Sequence, residues 1–345
     1  MKRLLNTLYV TNPDAYLARE GETVLVRVGD DVLLRIPILN IEAIVCFGYL
    51  GMSPALMRLC VENDVGVSFM STSGRFMARI TGPVKGNVLL RRAQFEASID
   101  DTISTELARD IVLGKLLNAR AVLQRGLRDH EDKIDSNAVR SASDGIARTC
   151  RYLDRCETTE NVRGAEGEAA ERYFSVLGNL ILIQKEDFYL QGRNRRPPLD
   201  RFNALLSFLY ALVYANTTAA LETVGLDPAV GFLHRFRSGR NSLALDLMEE
   251  LRPYLADRLA LTLINRQQMQ AKDFLVKETG AVLLTDDGRK KVLEAYQQRK
   301  REQVTHPFLG EKVEVGLIPH VQAMLLARRL RGDLDAYPPF LSQKL

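Results

Sequence analysis

Three acids and one histidine in the second half of the chain have the types and spacing of a divalent metal site. Glu166 lies between two glycines, His234 lies in an aromatic segment, and Asp246 and Glu249 stand about one helical turn apart. Several carboxylate oxygens with one imidazole suit Mg²⁺ or Mn²⁺ better than a structural zinc ion, which favours thiolates and several histidines. The pattern favours a metal-dependent reaction at these four positions.

Glu166 is predicted to face the packed side of a helix. Apolar residues follow it at helical spacing, namely Ala169, Ala170, Tyr173, Phe174 and Leu177. A carboxylate on that side must find a partner or lose its charge. The simpler alternative is a first-turn acid that interacts with the helix dipole, and Glu168 fits that alternative better than Glu166.

His234 is predicted to lie in an extended segment, where it shares a side with Phe232 and Phe236. A single histidine among aromatic residues is more often a hydrogen-bonded core residue than a metal ligand. The acids that follow it in the sequence reverse this balance, because together with the imidazole they provide a ligand set.

A helical projection places Asp246, Glu249 and Glu250 together, on the side opposite the apolar residues of their helix. Three clustered acids on a helix are usually its solvated face. They become costly only if the other two candidate ligands meet them, because neighbouring carboxylates raise one another's pKa unless a cation neutralises the site.

Basic clusters flank the candidate ligands. Three arginines precede a pair of prolines and three surround the histidine, namely Arg193, Arg195, Arg196, Arg235, Arg237 and Arg240. Arginine supplies sequence-independent affinity for nucleic acid, so these six are candidates for contacts to a DNA backbone with modest sequence preference. The alternative for each cluster is a solvated helix face, and the net charge of +4 alone does not decide between them.

The composition is that of a globular protein large enough for two cores, with 345 residues of which 46% are hydrophobic and 26% are charged. The four cysteines form no C-x-x-C pair, which suggests the reduced thiols of the cytoplasm. The apolar run near the start is too short for a secretory signal, and the run at 205–214 is too short to span a bilayer. We therefore expect a cytoplasmic protein without a membrane anchor.

Two different kinds of structure must position these residues. Short β-rich runs predict a small β-sandwich with one helix at 54–62 and strands at 8–10, 16–19, 24–28, 32–36, 44–47, 67–70 and 76–80. Apolar residues then recur at helical spacing, which predicts helices at 101–130, 136–156, 166–184, 200–224, 242–270, 286–303 and 317–331. A β-hairpin at 274–284 is the expected exception. The predicted fold class is α+β, with a small N-terminal β-sandwich followed by a larger, mostly α-helical domain.

Four motifs follow one another in an order that resembles a known family. They are RGAEG at 163–167, RPPLDRFNALLS at 196–207, GFLH at 231–234 and LDLMEE at 245–250. The chain is similar, over nearly its whole length, to the first-numbered Cas protein, the CRISPR-associated endonuclease and integrase of spacer acquisition. Its terminal details resemble the subgroup that accompanies the subtype C systems of type I.

The resemblance assigns roles to individual residues. Glu166, His234 and Glu249 match the family's metal-binding trio for Mg²⁺ or Mn²⁺, and Asp246 matches an additional catalytic acid that would orient a metal-bound water or the attacking group. The third ligand is Asp in some relatives and Glu here. Asn203 is expected only as a structural hydrogen-bonding residue.

The resemblance also implies an organisation and a reaction. Residues 1–95 would form a β-rich domain that mediates a homodimer, and 96–345 a helical nuclease and integrase domain. Two dimers would bridge a dimer of the small second CRISPR adaptation protein, which gives a heterohexamer. The implied reaction is insertion of captured foreign DNA into a CRISPR array by phosphodiester transesterification, and water in place of a 3′-hydroxyl would give DNA cleavage.

Two other functions stay open at this stage. A non-catalytic DNA scaffold of the adaptation complex would use the same basic surface without the acids, and a hydrolase of small phosphorylated substrates would use the acids without DNA. The remaining histidines offer no further site, since His130 and His306 are predicted to lie at the surface and nothing near His320 suggests ligation.

Overall fold

Short apolar runs at the start of the chain form two β-sheets. The computed structural model describes residues 7–71, 76–80, 82, 88–190 and 192–342. The first elements are β1 (Thr7–Val10), β2 (Tyr16–Glu20), β3 (Thr23–Val28), β4 (Asp31–Pro37), β5 (Ala43–Phe47), β6 (Gly51–Met52), α1 (Pro54–Glu62), β7 (Gly66–Met70) and β8 (Phe76–Ile80). One sheet has the strand order β1-β5-β7-β8 and the other β4-β3-β2-β6. The predicted sandwich and its helix are confirmed, whereas the sequence pattern does not indicate the two-residue strand β6.

The sheet that contains β5 is buried on both faces, because successive residues of a strand point to opposite sides. Ile44 packs with Leu17 of β2 in the core between the two sheets. Val45 and Phe47 lie on the other face and join the core of the helical region. There Phe47 stacks on Phe208, with ring centroids 5.7 Å apart. The sandwich is therefore fixed to the helical region through a shared layer.

The rest of the chain is mostly helical. Its helices are α2 (Val88–Ile99), α3 (Asp101–His130), α4 (Ser136–Leu153), α5 (Thr159–Leu177), α6 (Arg201–Val224), α7 (Ser242–Glu249), α8 (Arg258–Asn265), α9 (Asp286–Arg301) and α10 (Ile318–Leu330). The helix predicted at 101–130 has these bounds, and the helices predicted at 136–156, 200–224, 286–303 and 317–331 differ from the structure by one to three residues at an end. The predicted fold class is confirmed, although helical structure already begins at Val88.

Helix α5 begins seven residues before its predicted start at 166. Thr158 caps it, because its hydroxyl oxygen accepts a hydrogen bond from the Asn161 backbone N–H at 3.2 Å. Glu166 consequently lies in the middle of the helix, which rules out the alternative of a first-turn acid.

The helix predicted at 242–270 is three elements in the structure. Helix α7 ends at Glu249, a π-helix spans Arg252–Asp257, and α8 follows. Pro253 lies in the first turn of the π-helix, and its missing N–H removes one hydrogen bond of a regular α-helix at this point. Single π-helical turns within helices often occur at functional sites, where they redirect side chains.

Two hairpins and one apolar helix complete the helical region. Strands β9 (Phe274–Val276) and β10 (Val282–Leu284) pair antiparallel as predicted. The pattern does not indicate a second hairpin, formed by β11 (Gln303–Thr305) and β12 (Lys312–Glu314). Helix α6 is long and apolar enough to cross a membrane by length and composition alone, but Leu205, Leu209 and Val213 are buried in the helical core. Its role as a core helix agrees with the sequence analysis.

His306 is not at the surface, so that prediction was wrong. The loop between β11 and β12 folds onto α10, where the fully buried His306 Nε2 lies 2.9 Å from Gln322 Oε1. Burial lowers the pKa of this imidazole, and the hydrogen bond that Nε2 donates to Gln322 Oε1 offsets part of that effect. His130 is exposed at the end of α3, as predicted.

The segment after α10 is tied to the core through Glu250. This fully buried carboxylate accepts hydrogen bonds from the Tyr337 hydroxyl at 2.5 Å, the Phe340 N–H at 2.6 Å and the Gln322 amide at 3.2 Å. Burial raises the pKa of Glu250 to about 7, although these hydrogen bonds oppose the increase. The end of α7 and the C-terminal segment are thus held by one carboxylate.

The raised pKa of Glu250 predicts a pH-dependent stability. The folded protein holds a proton on Glu250 up to about pH 7, whereas the unfolded chain loses it near the ordinary value of 4.5. The free energy of unfolding should therefore fall as pH rises from about 4.5 to 7. Glu250→Gln should flatten this decline by on the order of 3 kcal/mol, measured by urea unfolding at several pH values.

Glu278→Gln is the matched control, because Glu278 is exposed in the loop between β9 and β10. It should leave the pH profile of the unfolding free energy unchanged. Equal slopes for the wild-type protein and Glu250→Gln would contradict the assignment of this dependence to Glu250.

Candidate metal and nucleic-acid site

The candidate metal ligands line one cavity. Its volume is about 980 Å³, and its walls include Glu166 from α5, His234 from the loop before α7, and Glu249 from the end of α7. These residues are distant in the sequence, so the helical packing brings them together. Five of the six arginines predicted to contact DNA line this cavity, and Arg235 lies outside it.

Asp246 holds the loop that carries His234. One carboxylate oxygen accepts hydrogen bonds from the backbone N–H groups of Phe232 at 2.6 Å and Leu233 at 3.0 Å. The other accepts the His234 N–H at 2.9 Å and lies 2.6 Å from its Nδ1. Because a carboxylate oxygen accepts hydrogen bonds, this contact places a proton on Nδ1, so in the neutral imidazole the lone pair is on Nε2. An imidazole held this way is ready to bind a metal through Nε2.

Gly231 allows the loop to approach α7 this closely. A Cβ atom at this position would lie 2.6 Å from an Asp246 carboxylate oxygen and 2.8 Å from the Leu243 backbone nitrogen. Both distances are far inside van der Waals contact, so a side chain would push the loop away from the carboxylate. The glycine of the GFLH motif therefore has a steric reason.

Glu166 and Glu249 converge on the ammonium group of Lys115. Lys115 Nζ contacts Glu166 Oε1 and lies 2.7 Å from Glu249 Oε2. The other oxygen of Glu249 pairs with Arg252 at 2.6 Å. The side chains of Lys115 and Glu249 are only 11% and 3% exposed, so these charges lie in a poorly solvated environment.

The charges in this group shift one another's protonation. Burial acts to raise the pKa of Glu249, but Arg252 and Lys115 outweigh it and hold that pKa well below its usual range. Burial acts to lower the pKa of Lys115, and the carboxylates of Glu249 and Glu166 outweigh that effect and raise it. Glu249 is therefore an anion and Lys115 a cation at neutral pH.

The acids of α7 do not share one side, so that prediction was wrong. Asp246 binds the loop before α7, Glu249 faces the cavity, and Glu250 binds the C-terminal segment. All three are less than 4% exposed, because this short helix is packed against other elements on every side. A helical projection assumes one solvated face, and α7 has none.

This geometry gives Asp246 a positioning role. Asp246 is fully buried, and both of its carboxylate oxygens are used by the loop at 232–234. These contacts position the His234 imidazole.

The donor set fits a divalent metal ion. Glu166 and Glu249 already share one positive centre, and His234 lines the same cavity with Nε2 as its lone-pair nitrogen. Glu249 Oε2 is within ion-pair distance of Lys115, yet its geometry forms no hydrogen bond with any residue that the structure describes. Across residues 7–71, 76–80, 88–190 and 192–342, no three His, Cys, Asp or Glu side chains form a ready ligand group. Three ligands would close around an ion by side-chain movement.

Four of the six candidate arginines line the cavity with exposed or half-buried side chains, namely Arg195, Arg196, Arg237 and Arg240. Arg235 does not line it, and its guanidinium pairs with Glu160 at the surface. Arg193 lines it, but its guanidinium donates to Asn203 Oδ1 at 2.7 Å and Ser207 Oγ at 3.1 Å. A structural role suits Arg193 better than a DNA contact.

Asn203 makes structural hydrogen bonds, as expected from the family resemblance. It is fully buried, and its amide nitrogen donates to Asp200 Oδ2 at 2.6 Å and the Gly192 carbonyl at 3.0 Å. Together with Arg193, it fixes the Arg-rich segment to the start of α6.

The other end of the cavity contains a second polar group. Asp257 is buried and accepts hydrogen bonds from the hydroxyls of Tyr210 at 2.7 Å and Tyr173 at 2.9 Å. Burial raises the pKa of Asp257 to about 6, and the two hydrogen bonds oppose the increase. The guanidinium carbons of Arg193 and Arg252 each lie 5.1 Å from the centre of the Tyr210 ring.

Lys115 and Arg252 are not among the site residues predicted from the sequence. Lys115 follows Ile111 and precedes Ala119 at four-residue spacing on the buried side of α3. A lysine on an apolar stripe is the signal that could have found it. Arg252 lies one turn after Glu249, which is the usual spacing of a helical ion pair.

Comparison with known proteins places this architecture in one family. Residues 8–298 match the family model described as CRISPR associated protein Cas1. The CRISPR-associated endonuclease Cas1 1 of Chlorobaculum tepidum is 51% identical over 341 residues, which cover 99% of each chain. Two solved structures share the fold, each with a TM-score of 0.83. A casposase bound to integration product is 22% identical, and the match covers 96% of this chain and 93% of that chain. A Cas6-RT-Cas1–Cas2 complex is 19% identical, and the match covers 99% of this chain and 36% of that chain. The family match and the fold, a β-sandwich followed by a helical region that contains the cavity, agree. This chain belongs to the Cas1 family of CRISPR-associated proteins.

Proposed function

We propose that this chain is a metal-dependent DNA endonuclease and integrase that inserts captured DNA fragments into a CRISPR array by phosphodiester transesterification. The observation that carries the proposal is the convergence of Glu166 and Glu249 on one cation beside His234, whose Nδ1 is engaged by Asp246. The name of the relative from Chlorobaculum tepidum and the integration product in the casposase structure support this reaction class.

Glu166, His234 and Glu249 would hold Mg²⁺ or Mn²⁺. When bound, the ion supplies Lewis-acid stabilisation of the negative charge that develops on the scissile phosphate. The two carboxylates offset the charge of the ion, and Asp246 keeps the proton on Nδ1 so that the imidazole binds as a neutral ligand.

The same cavity accommodates either nucleophile. A 3′-hydroxyl of a captured fragment gives strand joining, and water in its place gives cleavage. In both reactions one phosphodiester P–O bond breaks as another forms, and the leaving 3′-oxygen takes up a proton. Arg195, Arg196, Arg237 and Arg240 would hold the flanking phosphates, which carry no sequence information.

We also propose that the chain forms a homodimer through β4. This strand is at the edge of its sheet, and Val32, Leu33 and Leu34 are 42%, 56% and 40% exposed. Successive residues of a strand face opposite sides, so β4 presents apolar side chains on both faces, and its outer edge pairs with no strand among the described residues. Such a strand is suited to pairing with a second copy.

Two such dimers would bridge a dimer of the small second adaptation protein in a heterohexamer. The fold neighbour in a Cas6-RT-Cas1–Cas2 complex supports this partnership. We place the assembly in the cytoplasm, where DNA is present and thiols stay reduced. Burial raises the pKa of Cys46 to about 12 and of Cys150 to about 11, which suits unreactive thiols of that kind.

Loss of a metal ligand should abolish both reactions. The purified protein is given a labelled fragment with free 3′ ends and a supercoiled target, with Mn²⁺, Mg²⁺ or chelator. Glu166→Ala and His234→Ala should each reduce joining and nicking by more than about 100-fold, because loss of outer-shell partners of a metal alone costs 10- to 100-fold. Glu168→Ala, an exposed acid on the same helix, is the control.

The outcomes of this assay distinguish the proposed function from two alternatives. Joined products that survive Glu166→Ala would favour a non-catalytic DNA scaffold. Metal-dependent release of phosphate from small substrates, with no need for DNA and little dependence on salt, would favour a hydrolase of small phosphorylated molecules.

Asp246→Asn should reduce activity and weaken metal binding without abolishing it. An amide still accepts a hydrogen bond, but it no longer fixes the proton on Nδ1 of His234, so we expect a 10- to 100-fold loss of activity and a weaker affinity for Mn²⁺. Circular dichroism checks that the variant is folded, and calorimetric titration measures the Mn²⁺ affinity. Unchanged affinity would argue against a positioning role for Asp246.

The arginines should separate into two groups in DNA-binding assays. Alanine at Arg195 or Arg237 should lower the slope of log affinity against log salt by about 1, as expected for one lost phosphate contact. Arg193→Ala should instead lower the stability of the fold, because Arg193 binds Asn203 and Ser207. Arg58→Ala, on helix α1 of the sandwich, is the control. A salt slope that changes equally in the control and the cavity variants would contradict this assignment.

A further inference from the structure

Lys115 is the cation that the carboxylates of the cavity share. It projects from the middle of α3, and its ammonium contacts Glu166 and lies 2.7 Å from Glu249. Its side chain is 11% exposed, so water screens the three charges poorly. Without a positive charge at this place, two carboxylates would face each other in a buried setting.

We propose that Lys115 is the built-in counter-ion of the metal-free site and competes with the divalent cation for Glu166 and Glu249. The inference rests on the proposed metal-dependent function. It adds that the affinity for metal is set partly by an ammonium group that must first leave the two carboxylates.

The hydrogen bonds of Glu249 favour such an exchange. Its Oε1 pairs with Arg252 at 2.6 Å. Its Oε2 is 2.7 Å from Lys115, yet that contact lacks the geometry of a hydrogen bond, and no other residue in the described part of the chain provides one. A buried carboxylate oxygen with an incomplete set of contacts gains from a better ligand.

The balance of charge also favours replacement of Lys115 by the divalent ion over binding of both at the two carboxylates. Glu166 and Glu249 carry two negative charges, which Lys115 and Arg252 already balance. A divalent ion added to this set would leave two uncompensated positive charges in a poorly solvated place. Departure of one ammonium from the carboxylates lowers that repulsion.

Lys115 can leave the carboxylates only by moving its side chain, because the backbone of α3 is fixed here. The neighbouring Gly114 packs so closely that a Cβ would lie 2.7 Å from Pro339 and 3.2 Å from Glu250, so α3 is held at this point. The flexible four-carbon stem of lysine can nevertheless swing. Lys115 lines the same cavity as the exposed arginines, where a phosphate of bound DNA would accept its hydrogen bonds.

Calorimetric titration of the intact protein with Mn²⁺ alone tests the competition. Lys115→Met removes the charge and keeps an unbranched, flexible side chain one atom shorter, and it should bind Mn²⁺ about tenfold more tightly than the wild-type protein because no ammonium is displaced. Lys115→Arg keeps the charge and should bind no more tightly than the wild type. Lys290→Met, at an exposed position on α9, is the matched control and should bind as the wild type does.

Thermal unfolding gives a second measurement. Glu166 and Glu249 repel each other in Lys115→Met without metal, so this variant should melt at a lower temperature in chelator and gain more from Mn²⁺ than the wild type does. An equal or weaker Mn²⁺ affinity, or an equal or smaller rise in melting temperature, overturns the competition.

Two results separate this inference from the proposed function. If the wild-type protein binds Mn²⁺ no better than Glu166→Ala does, the metal site itself is refuted. If Lys115→Met does not fold, a crystal structure of the wild-type protein with Mn²⁺ decides: Nζ more than about 4 Å from both carboxylates supports the exchange, and Nζ still between them overturns it.

Discussion

The capture of one loop by the buried carboxylate of Asp246 is the interaction on which the candidate site depends. Three consecutive backbone N–H groups and the Nδ1 of His234 point at its two oxygens. Burial makes any unmet hydrogen bond expensive, so the loop has a single favourable position. Gly231 permits the approach, and helix α7 supplies the acid. A loop that sequence alone describes as extended thereby becomes a rigid holder for an imidazole.

The second constraint is charge balance. Glu166 and Glu249 come from different helices and meet where solvent is scarce, so their proximity requires cations. Lys115 and Arg252 supply them within the chain. The stability of the fold and the proposed affinity for metal would therefore draw on the same carboxylates. Under the proposed exchange, such a site would fold without metal, and part of the metal-binding free energy would be spent on displacing Lys115.

Sequence patterns predicted the parts that depend on local periodicity. The bounds of α3, the sandwich and the first hairpin follow from apolar spacing. The spacing of Leu177 and its neighbours also correctly predicted that Glu166 faces the packed side of its helix. The errors concern residues whose surroundings are set by distant chain segments. Glu250 looked solvated because a projection does not show the C-terminal segment that covers it. His306 looked exposed for the same reason, and Lys115 resembles any lysine whose stem crosses an apolar face.

Arg252 joins the two ends of the cavity. Its guanidinium pairs with Glu249 on one side and stacks on Tyr210 on the other, and Tyr210 donates a hydrogen bond to Asp257. The π-helix is what allows this, since Arg252 and Asp257 begin and end it and both line the cavity. A regular α-helix would rotate these two residues differently about its axis, because each of its turns has fewer residues. The π-helix after α7 thus connects Glu249, which would hold metal, with the aromatic and basic wall of the cavity, where DNA would lie.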